Sequence, residues 1–455
     1  MRRFMGALAT YPARALAGWY GILVVAGTLL LLLPACRAIG SSPMTFSDAL
    51  FTATSAACVT GLVVRDVAEF SALGQGIILA LIQLGGIGIM TVATLVVVQL
   101  TGRQTLRQLV LARESLGVGL HEDLGRVLVR VVSMTIVFEL IGAAVLAAYR
   151  LSDLSLSEAV WWGLFHAVSA FCNAGFALSP QNLAPWADSA LVNLTITVLV
   201  VLGGLGFPVL VDLFTHRRRR PLRWRELHFH SQLVITASAA LLLIGTLAIL
   251  ALEYSNAFAG QGLAQSTMTA FFHSASARTA GFSTLDIAGF SNATLFVLIL
   301  LMWVGGGPGS AAGGIKVTTI AVLVLYGYGR MRGRQEIGLF HHRISTHSVA
   351  TAAVVVIAGI TLIVTSLVFM LMAEQSGIPH NGGADFLDIT FETFSAFSTV
   401  GLSMGITPEL GELGRFITVL TMYVGRIGPL IVFTLLSRRP HGPAIRHPEA
   451  EIQIG

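Results

Sequence analysis

Charged residues are scarce in this sequence. Of its 455 residues, 11% are charged and 55% are hydrophobic, whereas soluble domains carry about 25% charged residues. This deficit excludes a soluble enzyme or a soluble binding domain of this length. Apolar stretches long enough to cross a bilayer, which takes about 20 residues, cover residues 77–100, 191–211 and 349–372. The sequence therefore predicts a multi-pass membrane protein.

Lysine and cysteine are scarce as well. Lys316 is the single lysine among 28 basic residues, and the three cysteines have neither metal-site spacing nor the even number of a disulfide framework. The arginines cluster in segments 103–130, 217–225 and 330–343, with acids in the stretches between them. The positive-inside rule places these clusters and both termini on the cytoplasmic side of the inner membrane. Short clusters of this kind set topology and do not indicate a nucleic-acid partner.

A short motif recurs four times along the chain. Each copy ends in a glycine followed by a large apolar residue: Gly61-Leu62, Gly175-Phe176, Gly281-Phe282 and Gly401-Leu402. The glycines are 114, 106 and 120 residues apart (175 − 61, 281 − 175 and 401 − 281). Each copy follows a short amphipathic stretch with aromatic residues, at 46–56, 159–171, 268–276 and 386–397. Such self-similarity indicates an internal repeat.

A second glycine cluster follows each motif. The clusters begin at Gly85, Gly203, Gly305 and Gly425, at offsets of 24, 28, 24 and 24 residues (85 − 61, 203 − 175, 305 − 281 and 425 − 401). We therefore predict four repeats over residues 1–102, 103–217, 218–330 and 331–455. Entering helices are expected over 18–35, 128–149, 232–254 and 348–373, and returning helices over 73–100, 189–214, 292–328 and 412–437. The predicted fold is an all-α integral membrane protein with four helix–pore-loop–helix repeats around a pseudo-fourfold central pore, the second helix of the third repeat being broken.

The four loops have the composition of an ion-selectivity filter. A potassium ion that enters a membrane exchanges its hydration shell for other oxygens, and converging backbone carbonyls supply them. Glycine permits the backbone angles that such loops require. The predicted filter residues are Val59, Thr60, Gly61, Asn173, Ala174, Gly175, Thr279, Ala280, Gly281, Thr399, Val400 and Gly401. Helix packing through small residues is the alternative for any one glycine, but it does not explain the aromatic half-helix before each.

These loops and the stretch Gly305-Gly306-Gly307-Pro308-Gly309-Ser310-Ala311-Ala312-Gly313-Gly314-Ile315-Lys316 resemble the Trk/Ktr/HKT superfamily of potassium transporters. The resemblance covers nearly the whole chain. The first repeat begins near residue 18, without the two additional N-terminal helices of TrkH-type members, so the KtrB type is more similar. The resemblance implies K⁺ as the substrate, a homodimer with one pore in each protomer, and a cytosolic nucleotide-binding regulatory ring of the KtrA type. It also implies a role for Na⁺, as activator or as coupled ion, and no cofactor held by this chain.

The glycine-rich stretch of the third repeat predicts a gate below the filter. Aligning the second clusters puts Gly86, Gly204, Gly306 and Arg426 in one column. The glycines and Pro308 cannot hold a regular helix. The predicted gate residues are Gly305, Gly306, Gly307, Gly309, Gly313, Gly314, Lys316 and Arg426. Facing the pore, Arg426 would oppose a passing cation; the alternative is that it caps carbonyls of the broken helix.

The sequence leaves two alternative functions open, and three further charged residues lie in or near the predicted spans. A strictly coupled Na⁺/K⁺ symporter with alternating access is the first alternative. A multi-span membrane enzyme is a remote one, because the spans contain no nucleophile–base pair or ligand cluster. Arg278 is expected to turn away from the pore axis and to pair with an acid. Glu139 and Asp212, within or at the ends of spans, are functional candidates or partners of arginines.

Overall fold

The computed structural model describes residues 12–101, 124–217, 224–334, 338–340, 342–374 and 386–428. Within these ranges α-helix dominates, and one antiparallel pair joins the two-residue strands β1 (Gly338–Leu339) and β2 (His342–Arg343). Most of the predicted arginine clusters at 103–130 and 217–225, and the tail after residue 428, lie outside the described residues.

The described residues form α-helices of 11 to 30 residues. In order they are α1 Pro12–Leu31, α2 Phe46–Ala57, α3 Ala72–Thr101, α4 Leu124–Arg150, α5 Leu156–Phe171, α6 Ala190–Leu205, α7 Phe207–Arg217, α8 Phe229–Glu253, α9 Leu263–Ser276, α10 Asn292–Trp303, α11 Val317–Met331, α12 Thr346–Glu374, α13 Phe386–Ser398 and α14 Glu412–Ile427. Helices α1, α4, α8 and α12 fall on the expected entering helices. The glycine-rich stretch separates α10 from α11 where a broken helix was expected.

Three of the described helices are long and apolar enough to cross a membrane. They are Val129–Arg150 within α4, together with α8 and α12. The pair α6 and α7 meets the same test only when taken together, because it bends by 101°. The prediction of one continuous helix over 189–214 is therefore wrong. Gly206 at the break has φ +95°, a backbone angle that ends a helix, and the amide of Phe207 donates to Gly309 instead.

The short helices α2, α5, α9 and α13 have 12, 16, 14 and 13 residues, too few to cross a bilayer. Capping boxes define where two of them begin. Thr45 and Asp48 exchange hydrogen bonds at the start of α2, and Ser155 and Glu158 do so at the start of α5. Such pairs satisfy amides that the first helical turn leaves free. Each short helix ends where a filter motif begins.

Two buried acids at the ends of long helices accept hydrogen bonds from the residues that precede α10 and α14. Glu253, at the end of α8, accepts hydrogen bonds from the amide and hydroxyl of Ser291 at 2.9 and 2.8 Å. Glu374, at the end of α12, accepts from the amide of Gly411 at 3.2 Å. Ser291 and Gly411 precede α10 and α14 directly, ten residues after the motif glycines (291 − 281 and 411 − 401). The same tie thus recurs at the same position in two successive segments of the chain.

Candidate functional site

Each filter motif has two residues in the left-handed region of backbone space, separated by one residue. The first is not a glycine: Val59, Asn173, Thr279 and Thr399 have φ of 56°, 58°, 73° and 49°. The second is the motif glycine, at 96°, 70°, 77° and 93° for Gly61, Gly175, Gly281 and Gly401. A strained non-glycine residue costs on the order of 1–3 kcal/mol, and such strain concentrates at functional sites. Its presence at one position in four separate loops is not a local accident of packing.

The four motifs meet in a closed cycle. A methyl group added to each glycine would collide with, or press against, the carbonyl of the middle residue of the next motif. The pairs run from Gly61 to Ala174, from Gly175 to Ala280, from Gly281 to Val400 and from Gly401 back to Thr60. For Gly175 the added carbon would lie 2.7 Å from the Ala280 oxygen. Only glycine fits at these four positions, and the chain order of the motifs is also their order around the cycle.

Serines at the ends of the short helices hold the loops in place. The amides of Thr60, Ala174 and Val400 donate to the carbonyls of Ser55, Ser169 and Ser395 at 2.8, 2.7 and 2.9 Å. In the third motif Ser276 takes this role and accepts from Ala280 at 2.9 Å. The hydroxyls of Ser55 and Ser395 also accept the amides of Gly61 and Gly401, both at 3.1 Å. Sequence reasoning missed these serines, although a serine six residues before the glycine in three motifs was a readable signal.

Three filter threonines have buried hydroxyls without a protein partner. Within the part of the chain that the structure describes, the Oγ1 atoms of Thr60, Thr279 and Thr399 accept and donate no hydrogen bond. A buried polar group without a partner is costly, and native structures rarely keep one. All three threonines belong to the cycle of predicted filter motifs.

The predicted gate residues lie against the filter. The amides of Gly307 and Ala311 donate to the carbonyls of Gly204 and Gly203 at 2.8 and 3.2 Å. A methyl group on Gly313 would collide with the Thr399 hydroxyl. The stretch therefore fills the space between the end of α6 and the fourth filter motif.

Arg426 is buried and fixed by three acceptors. Its guanidinium donates to the carbonyl of Ala311 at 2.5 Å, to that of Gly85 at 3.2 Å and to the Tyr20 hydroxyl at 3.1 Å. Tyr20 in turn donates to Gly85 at 2.7 Å. The Lys316 ammonium donates to Ala312 at 2.6 Å. Both cations thus hold carbonyls of the glycine-rich stretch, as the capping interpretation of Arg426 requires. Tyr20 was missed, because nothing in its local sequence distinguishes it.

Arg278 corrects one expectation. It is buried and donates to the carbonyl and hydroxyl of Ser238 at 3.2 and 3.1 Å. Among the described residues no acid lies within ion-pair distance of it, so the expected partner acid is replaced by a serine of α8. Of the two other charged candidates, Glu139 accepts from Gln83 at 3.0 Å, and Asp212 pairs with His228 at 2.7 Å.

Comparisons with known proteins find similarity to cation and potassium transport proteins. A family profile described as TrkH, cation transport protein, matches residues 18–442. The chain is 36% identical to Ktr system potassium uptake protein B of Bacillus subtilis (strain 168), over 98% of this chain and 97% of that protein. It is 32% identical to potassium/sodium uptake protein NtpJ of Enterococcus hirae, again over 98% and 97%. The crystal structure of the potassium transporter TrkH from Vibrio parahaemolyticus matches with a TM-score of 0.74, covering 92% of this chain and 83% of that one. At 17% sequence identity this match concerns the fold alone.

Proposed function

The chain belongs to the TrkH family of cation transport proteins, and from that premise we propose that it takes up potassium ions across the cytoplasmic membrane. The family resemblance inferred from the sequence is confirmed, and the family and its relatives are ion transporters and not enzymes. The observation that carries the proposal is the closed cycle of four motifs, each with strained backbone at the same two positions.

The cycle is proposed to be the selectivity filter of a pseudo-fourfold pore built from the four repeats. Its carbonyls replace the hydration shell of K⁺, and the unpartnered hydroxyls of Thr60, Thr279 and Thr399 add oxygens. The short helices end at the filter, so the negative ends of their dipoles favour a cation there. The motifs are not identical, because Asn173-Ala174 in the second differs from Val59-Thr60 in the first. Discrimination against Na⁺ therefore depends on a ring of unequal loops.

The glycine-rich stretch is proposed to gate the pore below the filter. Its contacts with Thr399 and with the end of α6 support a position next to the ion path. Arg426 and Lys316 hold its carbonyls and so stabilise a closed arrangement. Opening then requires that the Arg426–Ala311 hydrogen bond break or move, and α11, attached to the stretch, transmits the signal.

We also propose how the chain assembles with other subunits. The chain is proposed to form a homodimer on a cytosolic nucleotide-binding ring; relatives named as proteins of a Ktr system fit an assembly of several subunits. Both termini are proposed to be cytoplasmic, and the described basic residues Arg330 and Arg343 to face that partner.

A coupled Na⁺/K⁺ symporter is the second candidate. The name of the Enterococcus hirae relative, a potassium/sodium uptake protein, favours some role for sodium. An activator raises K⁺ flux without being carried, whereas a symporter carries Na⁺ in fixed proportion. Measuring ²²Na⁺ and ⁸⁶Rb⁺ uptake in the same vesicles separates the two.

Transport itself is tested by growth and by flux. The chain, with a co-expressed regulatory subunit, is expected to rescue a potassium-uptake-deficient bacterium on low potassium, and purified protein in vesicles to take up ⁸⁶Rb⁺ that K⁺ competes away. Absence of rescue both with and without sodium, despite normal membrane expression, would refute the proposed potassium uptake.

A further inference from the structure

A large cavity lies where three helices begin. Its volume is about 820 Å³, and the first turns of α8, α11 and α12 border it. Five side chains with basic nitrogen line it, namely Arg225, His228, His230, His342 and His347. Glu226 is the one carboxylate among the described lining residues. The described lining therefore holds more nitrogen groups that can carry a positive charge than carboxylates.

The helix starts add to this positive character. Helix N-termini carry a partial positive charge and free amides that attract anions. The N-cap residues of α8 and α11, His228 and Lys316, form no side-chain cap hydrogen bond. Asp212 serves the start of α8, because its carboxylate accepts from the His228 amide at 2.9 Å. At the start of α11, Thr318 and Thr319 line the cavity instead.

The arrangement suits an anion better than a metal. Among the described residues no group of three or more His, Cys, Asp or Glu side chains is close enough to hold a metal ion. The histidines are thus spread around the wall and not gathered on one point. Leu233, Val322 and Val355 make part of the lining aliphatic, which suits a ligand with both a charged and an apolar part.

We propose that this cavity binds a phosphate-bearing anion and that the bound anion biases the gate. The phosphate group is carried either by an anionic phospholipid or by a soluble compound; basic pockets between membrane helices on the cytoplasmic side recognise such head groups. The regulatory half of this proposal rests on the proposed function. The first turn of α11 supplies the link, because the Val317 amide donates to Gly306 at 3.0 Å and Thr318 borders the cavity.

Binding is measured on the full-length protein. The test variant combines Arg225→Gln with His347→Gln, and the matched control is Arg332→Gln, an exposed arginine at the C-terminal end of α11 that does not line the cavity. One arm counts phosphatidylglycerol retained by each protein with native mass spectrometry. The other arm titrates inorganic phosphate by equilibrium dialysis in phosphatidylcholine nanodiscs. Wild type and control should bind one probe at least about fivefold tighter than the double variant.

Flux then tests the link to the gate. In vesicles of phosphatidylcholine, adding the bound probe should change the maximal ⁸⁶Rb⁺ uptake of wild type and control, with apparent affinity unaltered, and leave the double variant unresponsive. Retention of phosphatidylglycerol alone identifies the lipid source, and binding of inorganic phosphate identifies the soluble one. Equal binding by all three proteins, or equal loss in the Arg332 control, overturns the site. Binding that depends on the cavity without any ⁸⁶Rb⁺ flux would instead count against the proposed transport function.

Discussion

At the residue scale, the filter glycines differ from the other left-handed glycines in what surrounds them. Gly281 has φ +77°, and a side chain there would collide with the Val400 carbonyl. Gly405 has φ +98°, but nothing lies within 4 Å of an added carbon. Both positions share the backbone cost of a side chain, which is about 1–2 kcal/mol. Only Gly281 adds displacement of a proposed ion ligand.

Gly281→Ser is therefore expected to weaken apparent K⁺ affinity by about tenfold, which corresponds to about 1.4 kcal/mol, and to lower the preference for K⁺ over Na⁺. Gly405→Ser, the matched control, should change neither. The measurement is ⁸⁶Rb⁺ uptake against K⁺ and Na⁺ concentration, with expression checked by size-exclusion chromatography. If the serine variants at Gly61, Gly175, Gly281 and Gly401 all kept wild-type affinity, the filter assignment would be wrong.

At the scale of elements, the broken third-repeat helix matters most. The stretch between α10 and α11 is held by backbone contacts to Gly203 and Gly204 of α6 and by the buried Arg426 of α14. Three distant parts of the chain thus converge on one irregular segment. Irregular backbone at membrane depth is tolerated where it is buried in protein, and most of this stretch is buried.

Arg426→Ala, or removal of Ser310–Ala312, should raise maximal ⁸⁶Rb⁺ flux with little change in apparent K⁺ affinity, because each change removes the Arg426–Ala311 hydrogen bond. Combining the two changes should raise the flux little further, because the effects of changes within one network are not additive. Arg332→Ala serves as the control for a lost arginine. A fall in flux for both variants at normal expression would mean that Arg426 only supports the fold.

At the scale of the whole molecule, one carboxylate joins α2 to α14, which lie far apart along the chain. Asp48, at the start of α2, accepts from Arg65 and from Arg415 of α14, both at 2.9 Å. Arg415 lies 367 residues away along the chain. Partial burial opposes ionisation, but hydrogen bonds from Thr45 and the charge of Arg65 outweigh it and lower the pKa of Asp48.

A lowered folded-state pKa stabilises the protein above the unfolded pKa of about 3.9, and the contribution is lost as pH falls through the folded value. Asp48→Asn should therefore lower the free energy of unfolding by about 2 kcal/mol at neutral pH and remove this part of the acid sensitivity. Asp153→Asn, which breaks an exposed pair with Arg150, should cost less than about 1 kcal/mol. Thermal unfolding in detergent at several pH values measures both. Equal losses of unfolding free energy in the two variants would show that the Asp48–Arg415 ion pair stabilises the protein no more than an exposed pair does.

The sequence by itself predicted the long apolar helices, the short helix before each glycine motif and the positions of the strained glycines. These features are local: apolar length predicts spans, and a glycine marks a backbone angle wherever it stands. Tertiary structure alone decided the bend at Gly206, the Ser238 partner of Arg278 and the three acceptors of Arg426. Their partners come from far along the chain, 40 residues for Arg278 and Ser238 and 406 for Arg426 and Tyr20. A buried cation takes whichever acceptor packing brings to it, and no local pattern records that choice.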